Sequence, residues 1–195
     1  MTATTRDRII VATSELFRVR GYNGTSLSQI SEASGATVGS IYHFFPGGKE
    51  ALAVEVIETT GAVYRQLFES IAAEAADPAT AFEEMFVGAA QVLEETDFID
   101  PCPIGTVARE AANTSEPLRL AAERAFASWT DAARNHLSSA GVPAVEAEQL
   151  AVLFVAIIEG TFVLSRTQRK TDPLVTAGRQ VAQLADQAIT AARRS

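Results

Sequence analysis

Apolar positions recur every three or four residues along almost the whole chain, and runs that alternate every second residue, as a half-buried strand would show, are absent. Ile9, Ala12, Leu16 and Phe17 form a first stripe that Gly21 ends in a C-cap position, predicting a helix over about residues 4 to 20. Leu27, Ile30 and Ala33 make the next stripe, with Ser26 and Gln29 fitting a capping box before it and Gly35 closing it. A second short helix is expected from Thr37, its cap, to about Phe45, where Pro46, Gly47 and Gly48 stop it. Only Ser34, Gly35 and Ala36 separate the two, which is the sequence shape of a helix-turn-helix. Beyond the glycines a long helix is expected from Lys49 to about Ala76. Further helices are expected at about 79–96, 104–112, 116–139, 144–168 and 172–194, with breaks at Asp77-Pro78, Pro101 and Pro103, Pro117, Gly141 and Pro143, and Asp172-Pro173. The predicted fold class is all-α, with a three-helix N-terminal unit over 1–48 and a helical bundle over 49–195.

On a helix turning about 100° per residue, Ile41, Phe44 and Phe45 share one arc and are expected to pack inward. Val38, Gly39, Tyr42 and His43 fall on the opposite arc, with Ser40 at its edge. Such a face is poorly designed for water and well suited to a groove. Gly39 lets a backbone approach closely, Tyr42 and Ser40 can donate to phosphates, and His43 can reach a phosphate or a base edge. Each also has an ordinary reading: a half-buried tyrosine, a solvated histidine, an incidental glycine. Their convergence on one side is what weakens those readings. The run Pro46-Gly47-Gly48-Lys49 lacks the glycine spacing and the Ser or Thr after Lys that a phosphate-binding P-loop needs. It does offer a helix start with N–H groups and one ammonium, suited to a single backbone phosphate.

Charge changes the picture less than its total suggests. The 195 residues carry a formal charge of -8, which argues against nucleic acid. Yet residues 1–50 hold five basic and four acidic groups, net +1, while the rest hold eleven basic and twenty acidic, net -9. A hydrophobic fraction of 47% suffices for a core, and the single cysteine excludes an internal disulfide. One cysteine and two histidines do not suit a zinc site, and no other cofactor is implied. Cys102, next to two prolines, is either a redox-sensitive thiol or a quiet semi-buried one. Charges interrupt the apolar positions of the N-terminal stretch, which fits neither a signal peptide nor a membrane span. The apolar run from Leu150 to Leu164 contains Glu159 and is expected to be a buried helix of a soluble, cytoplasmic protein.

The stretch GYNGTSLSQISEASGATVGSIYHFFPGGKEAL, residues 21–52, resembles the N-terminal domain of the TetR-type transcriptional repressors. The resemblance spans about residues 6–52: a glycine-rich approach, a Thr before the second helix, an Ile-Ala-like core pair, a Tyr on the recognition helix, and a Lys-Glu-x-Leu start to the fourth helix. It implies that Thr25, Ser26 and Lys49 contact DNA backbone and that Thr37, Gly39, Ser40, Tyr42 and His43 form the DNA face. Two departures stand out: Val38 occupies a position where a polar or basic residue is common, and one extra residue separates Phe45 from Lys49. That insertion, with CPIGTVAREAA at 102–112, is similar to the subgroup named for LmrA and YxaF.

The subgroup implies a C-terminal domain that dimerises and binds a small organic molecule, releasing a palindromic DNA operator when the ligand arrives. A ligand cavity inside the bundle would be lined by Phe86, Ile104, Trp129 and Phe154, each also an ordinary core residue, with Glu159 as the unusual ionisable group in an apolar helix. The wide apolar faces at 144–168 and 172–194 suit either a homodimer interface or an intramolecular core. Three classes are compatible with the sequence: a ligand-responsive DNA-binding regulator, a protein-binding adaptor, and a helical enzyme using His43 or His136 as a base. The last finds no paired carboxylates, metal cluster or nucleophile elbow to work with.

Overall fold

A computed structural model of the chain describes residues 4–99 and 102–194. Among the described residues there are nine α-helices and no strand: α1 Thr5–Arg20, α2 Leu27–Ser34, α3 Val38–Phe44, α4 Gly48–Glu74, α5 Thr80–Glu95, α6 Pro103–Ala111, α7 Glu116–Ser139, α8 Ala144–Gln168 and α9 Asp172–Ala192. Every predicted helix has its counterpart, and the break expected at Pro101 lies outside the described residues.

Local chemistry sets the ends. Thr4 caps α1 in a box with Asp7, whose N–H donates to Thr4 Oγ1 at 3.2 Å while the Thr4 N–H donates to Asp7 Oδ2 at 3.0 Å. At the expected break Asp77-Pro78, the Asp77 carboxylate accepts the N–H groups of Ala79 and Thr80 at 2.9 and 3.0 Å and the Thr80 hydroxyl at 2.6 Å. The break is therefore also the start of α5. Pro103 opens α6, and Cys102 caps it, its buried sulfur accepting the Gly105 N–H at 3.5 Å. Cys102 is thus a buried capping residue.

Packing divides the chain into two compact units, with cuts inside α4 after Gly61 and inside α7 after Ala125. The first unit contains α1 to α3, the start of α4, α6 and the start of α7. Ile9, Phe17, Ile30, Ile41, Leu52, Ile104, Val107 and Leu118 are all fully buried in it. Gly61 lets α7 come close, since a Cβ there would stand 2.9 Å from that of Ala125. The packing cut at Gly61 and the expected functional cut at residue 48 differ because α6 folds back onto α1.

The second unit is built on α5, α8 and α9, around Phe68, Phe82, Phe86, Leu93, Leu137, Phe154 and Leu174. α9 lies against α5 at Gly178, where a Cβ would stand 2.6 Å from that of Phe86. By length and composition α8 could cross a membrane, with a mean hydropathy of 1.8. In the fold it is two-faced: Ala147, Ala151, Phe154, Val155 and Ile158 are buried, while Val152, Leu153, Val163 and Leu164 are exposed.

Candidate nucleic-acid interface

The short α2–α3 segment is fixed by bonds that its own sequence supplies. Ser26 caps α2 through the expected box: the Gln29 N–H donates to Ser26 Oγ at 3.3 Å and the Ser26 N–H donates to Gln29 Oε1 at 2.8 Å. Gly35 turns the chain in the left-handed region at φ 64°, ψ 21°. The Ser31 hydroxyl donates to the Ala36 carbonyl across the turn at 2.6 Å, and the buried Ser34 hydroxyl donates to the Ile30 carbonyl at 2.7 Å. Thr37 then caps α3, accepting the Ser40 N–H at 3.1 Å, with the two hydroxyl oxygens 2.9 Å apart. Ala33, expected in the apolar stripe of α2, is exposed instead, and Ser34 takes the inner position because its hydroxyl is satisfied there.

Buried beneath the turn are Ile30, Ala36, Ile41 and Phe45. On the outside of α3 lie Val38, Gly39, Tyr42 and His43, as expected from the helical arc, with Ser40 half-buried at the edge. Phe44 is a correction: expected inward, it is 38% exposed. Its ring meets that of His43 edge-on at 5.1 Å, so the outer face carries an aromatic ledge. Tyr42, half exposed, lies against the first turn of α4, where a Cβ on Gly48 would stand 3.1 Å from its ring. Gly48 has φ +64°, so this close approach and the backbone both require glycine. At Gly39 the only atom near an added Cβ is Thr37 Oγ1 at 3.7 Å, which leaves that flank open.

Two residues expected to touch phosphate are otherwise engaged. Thr25 is only 1% exposed, and its hydroxyl donates to the Gly21 carbonyl at 2.8 Å, shaping the turn between α1 and α2. Lys49 is partly buried; its ammonium donates to the Tyr22 and Thr25 carbonyls, both at 3.0 Å, and lies 4.2 Å from the centre of the Tyr22 ring. Burial lowers its pKa, opposed by the Glu110 carboxylate, which raises it. Lys49 is thus a staple between α4 and the α1–α2 turn. Glu110 of α6, unremarked in the sequence, holds the same turn by accepting the Asn23 N–H at 2.8 Å. Its partner lies 87 residues away, and no local pattern points to it.

Of the residues expected to line an effector cavity, Phe86 and Phe154 are buried in the second unit, their rings 5.8 Å apart. They belong to an aromatic cluster with Phe68 and Phe82. His136 sits edge-on to Phe68 and Phe82, and its Nε2 is 2.8 Å from the Pro78 carbonyl oxygen. Sequence reasoning did not single out Phe68, and it weighed His136 only as a base. Trp129 is half-buried beside Tyr64 and Phe126. Glu159 is also half-buried, and Ile104 is buried in the first unit.

Comparison with known proteins finds the same two parts. Residues 9–56 match the family of bacterial regulatory proteins of the tetR type, and residues 78–180 match the C-terminal domain of LmrA/YxaF-like transcriptional regulators. The chain is 38% identical over 176 residues to the HTH-type transcriptional regulator YxaF of Bacillus subtilis, covering 90% of this chain and 92% of that one. It is 34% identical over 170 residues to the HTH-type transcriptional regulator LmrA of the same organism, covering 87% and 90%. Among solved structures, a TetR transcriptional regulator from Legionella pneumophila shares the fold with a TM-score of 0.83 at 20% identity, over 93% of this chain and 97% of that one. The regulator FadR from Bacillus subtilis in complex with stearoyl-CoA does so with a TM-score of 0.69 at 16% identity, over 91% and 96%.

Proposed function

Because the chain belongs to the TetR family of helix-turn-helix transcriptional regulators, on its LmrA/YxaF-like branch, we propose that it is a repressor released from a palindromic operator by a small organic effector. It is a regulator and not an enzyme. The observation that carries the reading is the outer face of α3, where Val38, Gly39, Tyr42, His43 and Phe44 stand outward with no core to cover them. Residues 1–48 would engage DNA through this face, with Ser26, Thr37 and Ser40 at its edge. Two copies, related by a twofold axis, would set two such helices in successive major grooves about 34–36 Å apart. The exposed Val152, Leu153, Val163 and Leu164 of α8 and Leu184 of α9 supply an apolar face for that homodimer. The same pairing gives a cytoplasmic protein a reason to leave α8 half uncovered.

The effector would bind in the 49–195 part, among the aromatic side chains around Phe86, Phe154 and Trp129. A ligand that prefers one separation of the two α3 helices shifts the population toward it and loses the operator if that separation is wrong. The test is binding to the DNA upstream of its own gene across a salt series. The logarithm of the affinity is expected to fall linearly with log salt, by a slope of about 0.9 per neutralised phosphate. Binding that ignores salt, or none tighter than micromolar, would overturn the reading. A thermal-shift screen of aromatic and drug-like compounds, each hit assayed for operator release, tests the effector half.

A further inference from the structure

From Ile30 to Gly48, a stretch that covers the turn and all of α3, the chain contains no Arg, Lys, Asn or Gln. Those are the side chains that read guanine and adenine through paired hydrogen bonds in the major groove. The polar groups on α3 and its cap are three hydroxyls and one imidazole. The Thr37 and Ser40 hydroxyls face each other at 2.9 Å, and Thr37 Oγ1 also accepts the Ser40 N–H. The Tyr42 ring lies against Gly48 at the start of α4, its hydroxyl oxygen 3.6 Å from where a Cβ would stand there. His43, its ring edge-on to Phe44, and the hydroxyls can each make a single hydrogen bond to a base, but none offers the paired donors or acceptors that read guanine or adenine. What the first turn of α3 presents outward is Val38, 38% exposed, followed by Gly39 with open space beside it.

A valine can neither donate nor accept a hydrogen bond. The one base-edge feature in the major groove that an apolar side chain can distinguish is the C5 methyl group of thymine. We infer that Val38 is a specificity-determining residue, reading a thymine methyl in each operator half-site, with Gly39 letting the helix backbone come close enough for the contact. The inference rests on the DNA-binding reading above and adds to it the chemistry of the site that is read. It also accounts for the apolar residue at a place where polar ones are common: the valine is matched to a methyl group and replaces a hydrogen-bonding reader. Half-sites should therefore carry an invariant thymine facing α3, with most other positions chosen by DNA shape.

The probe is a duplex enriched from a random-sequence pool by the wild-type protein, in which each thymine is replaced in turn by deoxyuridine, removing only the methyl. At one thymine per half-site the replacement is expected to weaken wild-type binding about fourfold, the worth of burying one methyl group, and about fifteenfold when both half-sites are changed. Val38→Ala, whose side chain reaches less far into the groove, should lose most of the preference for thymine over deoxyuridine, while Val38→Thr, which keeps a γ-methyl, should retain more of it. Val38 is exposed, so unchanged melting temperatures are expected for both variants and serve as the check on folding. Enrichment of a duplex whose binding is indifferent to every thymine methyl overturns the inference and leaves the DNA-binding reading standing. So does a methyl preference that Val38→Ala keeps in full. Failure to enrich any duplex overturns both.

Discussion

Gly21→Ala should destabilise the protein far more than Gly35→Ala, although both glycines have positive φ, 72° and 64°. Gly35 has ψ 21°, in the left-handed helical region, and nothing lies within 4 Å of the position a Cβ would take. Alanine there costs about 1–2 kcal/mol of backbone strain. Gly21 has ψ 175°, a region essentially reserved for glycine, so its strain alone is about 1–3 kcal/mol. Its Cβ would also fall 1.9 Å from Glu110 Oε1. The carboxylate is the end of a flexible side chain and can swing away, but only by giving up the Asn23 N–H that it accepts at 2.8 Å. A hydrogen bond to a charged group is worth about 1.5–3 kcal/mol, and Glu110 is only partly buried, which brings the expected total for Gly21→Ala to about 3–5 kcal/mol. Urea unfolding of the two variants measures the difference at matched m-values. Adding Glu110→Ala to Gly21→Ala removes the collision and loses a bond already lost, so the double variant should cost less than the sum of the singles. Strict additivity, or a Gly21→Ala no costlier than Gly35→Ala, would refute this account of the latch between α6 and the α1–α2 turn.

Gly39→Ala should raise stability by about 0.5–1 kcal/mol, since the added Cβ is unobstructed and alanine favours a helix, while weakening binding to the enriched duplex; melting and gel-shift measurements on one preparation separate the two effects. Phe154→Ala should cost about 3–5 kcal/mol in urea unfolding, because its 4% exposed ring sits among Phe68, Phe82 and Phe86. The Thr80 hydroxyl and then the Thr80 N–H hold the Asp77 carboxyl below its ordinary value. A depressed native pKa adds stability above the unfolded value, about 3.9, that is lost as pH falls through the native one, so Asp77→Asn should flatten the acid limb of the stability profile below about pH 4; an unchanged acid limb would show that the carboxylate does not contribute.

The helices were legible because their punctuation is local. Ser26 with Gln29, Thr37, Gly35 and the prolines each act within four residues, and the structure places ends within a few positions of those read from the sequence. Phe44 and Phe45 show where periodicity fails. Both fit the inner arc only if the helix continues through them, yet α3 ends at Phe44, and Phe45 takes φ -132°, ψ 80°. That single extended residue turns one ring into the core and leaves its neighbour outside. Thr25 shows a different limit: a threonine before a helix can offer its hydroxyl to a ligand or to its own turn, and here it donates to the Gly21 carbonyl at 2.8 Å.

Charge was the least legible property of the candidate site, and its arrangement bears on how DNA would be held. Of the five basic groups in the first fifty residues, several are engaged within the protein. Lys49 donates to two carbonyls, Arg6 pairs with Glu55 at 2.7 Å and lies over the Phe45 ring, and Arg18 pairs with Glu15 at 2.8 Å. Arg18 and Glu15 are neighbours three residues apart on α1, but the partners of Lys49 and Arg6 do not follow from local spacing, because the Tyr22 carbonyl and Glu55 are brought in by the tertiary fold. These contacts tie α4 to α1 and to the α1–α2 turn. Neutral donors such as Tyr42 and Ser40 would add backbone contacts whose hydrogen bonds depend on position more than on charge. With no Arg, Lys, Asn or Gln between Ile30 and Gly48, the proposed site would gain its selectivity from fit, with the flank of Gly39 and the exposed methyls of Val38 at its centre.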